Sequence, residues 1–110
     1  MCLEAQNGLI NVLYIKGENM VDAGLYVRLL LKKRKMTQAD LLRKMKQMGL
    51  ADENVLVKQN LNSAINVRMG YTWARRIEIA LGLKDFELIR MIGQPTKLEW
   101  KKIGEIKAKL

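Results

Sequence analysis

The sequence contains no histidine and only one cysteine, and these shortages limit the chemistry that the chain can perform. Without histidine, it lacks the side chain that most often acts as a general base near neutral pH, and it lacks imidazole metal ligands. The single cysteine, Cys2, can form neither an internal disulfide nor a zinc site. The glycines form neither a phosphate-cradling loop nor a dinucleotide fingerprint. We therefore predict a protein that is not an enzyme, and we infer no cofactor, metal or small-molecule ligand.

Aromatic residues are also scarce, at 5% of the chain, whereas 49% of its residues are apolar and only one, Pro95, is proline. Leucine, isoleucine, valine and methionine are plentiful, which favours small helices packed on one another. No stretch approaches the ~20 apolar residues of a membrane span. The short apolar run at residues 9–15 follows acidic Glu4, where a signal peptide would have basic residues. We expect one small all-α domain of five or six helices, located in the cytoplasm.

Acidic residues are outnumbered, 11 against 20 lysines and arginines, so the formal net charge is +9. Residues 1–19 contain one of the basic groups and two of the acidic groups. Residues 20–110 therefore carry 19 basic and nine acidic groups, a balance of +10. Such a balance favours a polyanionic partner, with nucleic acid first and an acidic membrane surface second.

The first 19 residues differ in character from the rest. Residues 9–15 could form a strand, but no partner strand follows. The segment from Lys16 to Met20 can be encoded by aaa-gga-gaa-aat-atg, which is a purine-rich ribosome-binding site just ahead of a start codon. We expect natural synthesis to begin at Met20. Residues 1–19 would then be an N-terminal arm translated from the leader sequence, and we expect this arm to have no function.

Capping residues and apolar periodicity predict six helices after this arm. Thr37 and Asp40 form a capping box, as do Thr96 and Glu99. Gly49 and Gly82 are expected to end the second and fourth helices, and Gly70 is free to take a positive φ in a tight exit from the third. The predicted helices run from Asp22 to about Lys35, from Thr37 to Gly49, from Asp52 or Asn54 to about Asn66, from Thr72 to Gly82, from Asp85 to Ile92, and from Thr96 to Leu110.

The predicted third helix has two contrasting stripes. Its apolar stripe consists of Val57, Leu61, Ala64 and Ile65, at helical spacing. A polar, uncharged stripe lies opposite. Amide side chains offer both a donor and an acceptor, which suits the reading of base edges, whereas a solvated face is more often Glu and Lys. We therefore predict a DNA-recognition helix whose polar stripe consists of Gln59, Asn62, Ser63 and Asn66.

The predicted last helix, within residues 94–110, is basic and amphipathic. Leu98, Ile103, Ile106 and Leu110 lie on one side of it. That side requires either the protein's own core or a second subunit, so we expect it to contribute to a homodimer contact. Trp100 and five lysines also permit attachment to a membrane surface, which is a weaker alternative.

Two short segments indicate a family. Residues 36–41 read Met-Thr-Gln-Ala-Asp-Leu, and residues 77–82 read Ile-Glu-Ile-Ala-Leu-Gly, with Arg68 and Gly70 between them. With these motifs, residues 24–92 resemble the Cro/C1-type, phage-repressor-like helix-turn-helix family. The resemblance implies a lambda-repressor-like domain at residues 20–93 that binds double-stranded DNA as a small transcriptional regulator, a repressor of phage or mobile-element type. Family members commonly bind as two-fold dimers on half-sites about 34 Å apart.

The resemblance also implies roles for individual residues. Gln59 and Asn62 are expected to contact bases, with Ser63 and Asn66 secondary. Lys58 would contact a guanine or a phosphate, and Gln38 matches the family's phosphate-contacting glutamine. The cations expected to flank the groove are Arg43, Lys44, Arg68 and either Arg75 or Arg76.

Two features depart from the family pattern. The link between the second and third helices is several residues longer, and Leu42 stands where a small alanine is usual, so we expect the two helices to lie further apart. Several alternatives remain open. The polar stripe could be an ordinary solvated face, Arg75 and Arg76 could pair with Glu78 or Asp40, and the domain could be a protein-interaction module such as an antitoxin or a phage-defence component.

Overall fold

The computed structural model describes residues 22–109 and shows six helices and no strand within that range. The prediction of an all-α chain is thereby confirmed for these residues. The predicted N-terminal arm and Leu110 lie outside them. No helix between residues 22 and 109 is both long and apolar enough to cross a membrane. The helices are α1 (Ala23–Lys33), α2 (Gln38–Met48), α3 (Lys58–Asn66), α4 (Tyr71–Leu81), α5 (Glu87–Ile92) and α6 (Lys97–Gly104).

The helix starts that have a capping side chain are confirmed. Asp22 Oδ1 accepts a 2.7 Å hydrogen bond from a first-turn amide of α1. The Thr37 N–H donates to Asp40 Oδ2 at 2.9 Å while the Asp40 N–H donates to Thr37 Oγ1 at 3.0 Å, so the capping box of α2 is complete. Thr96 and Glu99 form the same reciprocal pair before α6. These bonds satisfy helix N–H groups that have no partner within the helix.

The predicted start of α3 is wrong. Neither Asp52 nor Asn54 caps it; the helix begins at Lys58, after Val57, and has no side-chain cap. The backbone carbonyl of Asp52 instead accepts bonds from two amides in the link, at 2.9 and 3.0 Å. Leu56 explains why α3 begins later than predicted. Its side chain is 1% exposed and packs in the core, so the link between α2 and α3 enters the core before α3 begins.

Predictions at the ends of α4 were partly wrong. Gly70 has φ −84° and not a positive φ, and it occupies the N-cap position, so Thr72 lies inside the first turn. Gly82 does take the left-handed conformation, with φ 68°, as does Gly49 after α2, with φ 65°. The expected helix ends at both glycines are therefore confirmed.

α5 and α6 are shorter than predicted. α5 starts at Glu87, two residues after the predicted Asp85. α6 ends at Gly104 and does not continue toward residue 110. In the segment after α6, the Lys109 N–H donates to the Met48 carbonyl, at the end of α2, at 2.6 Å. The prediction that Leu98 and Ile103 lie on the same side of the last helix is also wrong. Ile103 is 1% exposed and lies in the core, whereas Leu98 is 62% exposed.

A buried carboxylate determines where α5 begins. Glu78 on α4 is fully buried, and its Oε2 accepts bonds from the Leu88 and Ile89 amides at 2.7 and 3.0 Å. Its Oε1 accepts from the Phe86 amide at 3.1 Å and from Arg75 Nη1 at 3.1 Å. The side chain therefore caps α5 from a neighbouring helix, because a buried carboxylate requires several donors to offset its loss of hydration.

α1 is held to its neighbours by polar bonds as well as by apolar packing. The Tyr26 hydroxyl donates to Glu87 Oε2 at 2.5 Å and so joins α1 to the start of α5. Burial and then this bond raise the pKa of Tyr26 to about 12, so the hydroxyl remains a donor at neutral pH. Arg34 Nη1 donates to the Leu81 carbonyl at 2.7 Å, which satisfies an acceptor at the C-terminal end of α4.

Gly24 allows α1 to approach α3 closely. A methyl group at residue 24 would lie 2.0 Å from the Ile65 carbonyl oxygen, which is backbone and cannot rotate away. We expect Gly24→Ala to lower the free energy of unfolding by about 3 kcal/mol, because the helices must separate to accommodate it. Urea denaturation would measure this change. Gly104→Ala is the control, since a methyl group there meets nothing within 4 Å; equal effects of the two substitutions would contradict the close contact.

Candidate nucleic-acid interface

The α3 helix divides into a buried and an exposed face as its two stripes predict. Leu61, Ala64 and Ile65 are buried, and Val57, just before the helix, is half-buried. The opposite face is open to solvent. Its exposed side chains are Gln59, Asn62, Ser63 and Asn66. The packing of the apolar stripe therefore presents an uncharged polar surface outward.

Two amides on this surface are joined. Asn66 Nδ2 donates to Asn62 Oδ1 at 2.8 Å, one helical turn apart. This bond uses one lone pair of Asn62 and leaves that amide with its two N–H donors and its second lone pair. Asn62 is therefore held in place with donor and acceptor capacity remaining. Asn60 differs, because its Nδ2 donates back to the Val55 carbonyl at 3.0 Å, in the link before α3.

A depression of about 250 Å³ lies between α2 and α3. Leu42 is half-buried at its wall, at the position where the sequence departs from a small residue. Both helices bring polar groups to it. These groups are Gln38, Arg43 and Lys46 from α2 and Lys58 from α3. Three of the predicted site residues thus meet here, although they are up to 20 positions apart in the chain.

Lys46 is a residue of this depression that the sequence argument missed. It lies one turn after Arg43 and Leu42 on the same face of α2, and it is exposed. The i, i+3 spacing from Arg43 could have indicated it. Lys44, which was predicted, is exposed on α2 but does not line the depression.

Arg43 is held only weakly by its neighbour. Its Nη1 lies 3.0 Å from Asp40 Oδ1, and the two side chains are 64% and 39% exposed. The Thr37 amide, and then Arg43, lower the pKa of the Asp40 carboxyl. Because water and salt screen an exposed ion pair, this one contributes little to stability. The guanidinium can therefore exchange Asp40 for another anion.

Arg68 follows α3 and is exposed. It lines a second depression, of about 370 Å³, together with Asn66 at the end of α3 and Arg28 on α1. Arg28 was not among the predicted site residues; it lies 40 positions away and is brought near by the packing of α1 against α3. Cations therefore stand near both ends of the exposed polar face, Lys58 at one end and Arg68 at the other.

Arg75 occupies a structural position. Its Nη1 lies 3.1 Å from Glu78 Oε1 and 3.1 Å from Asp85 Oδ1, and its side chain is 17% exposed. The guanidinium carbon also lies 4.8 Å from the centre of the Phe86 ring. Arg75 therefore pairs with Glu78, which is one of the alternatives that the sequence left open. We do not include Arg75 in the candidate interface.

Residues 22–109 form a small all-helical unit with an exposed, amide-bearing helix between groups of cations. Comparison of the chain with protein-family models, with curated proteins and with solved structures gives no match.

Proposed function

We propose that this chain is a sequence-specific double-stranded DNA-binding protein in which α2 and α3 form a helix-turn-helix and α3 is the recognition helix. The exposed uncharged polar face of α3 carries this proposal. Its amides can pair with base edges in a major groove, where each base pair presents a distinct pattern of donors and acceptors. In a chain with a net charge of +9, a solvated helix face would more often carry charge.

The cations around α3 supply the complementary part of the proposal. Arg43, Lys46 and Lys58 meet on one side of the helix, and Arg68 with Arg28 on the other. Phosphate contacts give affinity and fix the orientation of the protein, while base contacts select the sequence. Gln38, at the first position of α2, can donate to a phosphate on the same side as Lys58.

A regulatory role follows from this mode of binding. A protein that reads DNA with one short helix gains specificity by binding as a two-fold dimer. We propose that it is a small transcriptional repressor of phage or mobile-element type that acts on DNA in the cytoplasm. The exposed side chains of Leu98 and Trp100 on α6, at 62% and 40%, are our candidates for the subunit contact.

The same exposed apolar pair supports a second candidate function. Leu98 and Trp100 could instead receive a different protein, as in a protein-interaction module of an antitoxin or phage-defence system. Interfaces are enriched in aromatic residues, and Trp100 already contacts Phe86 edge-on with ring centres 5.0 Å apart. In that case DNA binding would be weak and unselective.

Selection from random DNA duplexes tests the proposal directly. We expect the full chain to enrich one motif, since α3 offers base-reading amides, and we expect that motif to be a palindrome whose half-sites are centred about 34 Å apart. A single half-site would contradict the dimer but not base reading. Enrichment of no motif would overturn the proposed function.

A further inference from the structure

A third depression, of about 470 Å³, lies on a part of the surface that includes no α3 residue. It is bounded by residues 49–52 just after α2, by α4, and by α6 with the segment that follows it. Its lining contains more positive than negative charge. The cations are Arg76, Lys102, Lys107 and Lys109, and the carboxylates are Asp52 and Glu105.

Arg76 is the unusual member of this group. Its Nε is the buried side-chain nitrogen or oxygen that has no hydrogen-bond partner within residues 22–109. The ion pairs found in that range do not include it. Burial lowers the pKa of Arg76, yet an arginine remains protonated in proteins. No ion pair within that range neutralises this partly buried cation, so an anion from outside the chain can pair with the part of the guanidinium that lines the depression.

The guanidinium also lies beside an aromatic ring. Its carbon is 5.2 Å from the centre of the Trp73 ring, within the range in which a cation and an aromatic ring attract each other. Thr72, which carries a hydroxyl, lines the same depression one turn earlier on α4. A planar fork, a hydroxyl and several ammonium groups together match the oxygens of a phosphate.

We propose that this depression binds a phosphate group, with Arg76 as its guanidinium donor and Lys102 as its principal ammonium partner. The phosphate could belong to a small phosphorylated molecule or to the backbone of DNA bound by α3, because the chemistry of recognition is the same. The first source is independent of the proposed function, whereas the second rests on it.

Thermal unfolding in inorganic pyrophosphate, compared with chloride at equal ionic strength, tests the site without DNA. A ligand that binds the folded state raises the Tm as its concentration exceeds Kd. We expect this rise in the wild type and its loss in Arg76→Gln. Lys102→Ala provides the second variant, because Lys102 is exposed and its loss does not threaten the fold. The rise should persist in Lys84→Ala, an exposed lysine outside the depression.

Asp52→Asn gives a test in the opposite direction. Its carboxylate lines the depression and repels an anion, while its backbone carbonyl, which holds the link before α3, is unchanged. We expect pyrophosphate affinity to rise about two- to five-fold, the range of an exposed charge interaction. An unchanged or weaker affinity would contradict a phosphate at this position.

Titration of duplex DNA across salt concentrations distinguishes the two sources. Loss of one phosphate contact lowers the slope of log affinity against log salt by about 1. A smaller slope in Arg76→Gln and Lys102→Ala, but not in Lys84→Ala, would assign the site to DNA. Pyrophosphate stabilisation with an unchanged slope would assign it to a free phosphate compound. If neither effect is observed, the proposal is overturned. If DNA does not bind at all, the pyrophosphate measurement alone decides the proposal.

Discussion

Replacing Glu78 with alanine is expected to lower the free energy of unfolding by about 3–5 kcal/mol, because it removes one half of a buried charged network. The carboxylate accepts three backbone amides at the start of α5 and one guanidinium N–H. Without it, the three amides lose their acceptor, and Arg75 keeps only its pair with the exposed Asp85. Small domains are stable by only about 5–15 kcal/mol, so much of the population could unfold.

Urea denaturation followed by circular dichroism would measure this loss, with Glu78→Gln as an intermediate case. The glutamine keeps one acceptor oxygen but turns an NH₂ group toward amide donors, so we expect it to cost about 2 kcal/mol. Asp85→Asn is the matched control, because Asp85 pairs with the same Arg75 but is 77% exposed. Its effect should stay below about 1 kcal/mol. A Glu78→Ala protein as stable as the control would show that the network does not hold α5.

The second large effect concerns recognition. Removing both Gln59 and Asn62, as a double alanine variant, should reduce the preference for the selected DNA motif by about 100-fold or more, because each bidentate pair with a base contributes about 1–3 kcal/mol of discrimination. Binding to an unrelated duplex should be almost unchanged, since Arg43, Lys46 and Lys58 remain. Both substituted side chains are exposed, so the fold should persist.

Competition between the selected motif and an unrelated duplex, at several salt concentrations, would measure both quantities. Gln47→Ala is the control, an exposed amide on α2 outside the depression between α2 and α3. Asn66→Ala separates direct from indirect effects, because it removes the partner of Asn62 and leaves Asn62 in place. Lys58→Ala should weaken binding to all duplexes alike and lower the salt slope by about 1. Equal loss of preference in Gln47→Ala and in the double variant would contradict a recognition role for α3.

Much of the helical structure could be predicted because its causes are local. Asp22 bonds an amide three residues away, and Thr37 and Asp40 bond each other. Gly49 and Gly82 end helices through their own φ angles of 65° and 68°. Interactions of this kind depend on spacing along the chain and hardly on the rest of the fold.

The candidate site could be predicted only in part. The two faces of α3 follow from periodicity, and the structure confirms which one is exposed. Periodicity does not show which cations meet beside that face, so Lys46 and Arg28 were missed. Periodicity also does not show that Arg75, predicted beside the groove, lies next to Asp85 in the turn before α5.

By itself, the sequence determined the helical class, the local caps and the division of α3 into an apolar and an amide-bearing face. Only the tertiary structure decided where α3 and α5 begin, since these starts depend on Leu56 entering the core and on Glu78 reaching from α4 to α5. It also decided which charges are neutralised and which remain available. Arg75 has two carboxylate partners, whereas its neighbour Arg76 has none among residues 22–109, because successive residues of a helix project about 100° apart into different surroundings.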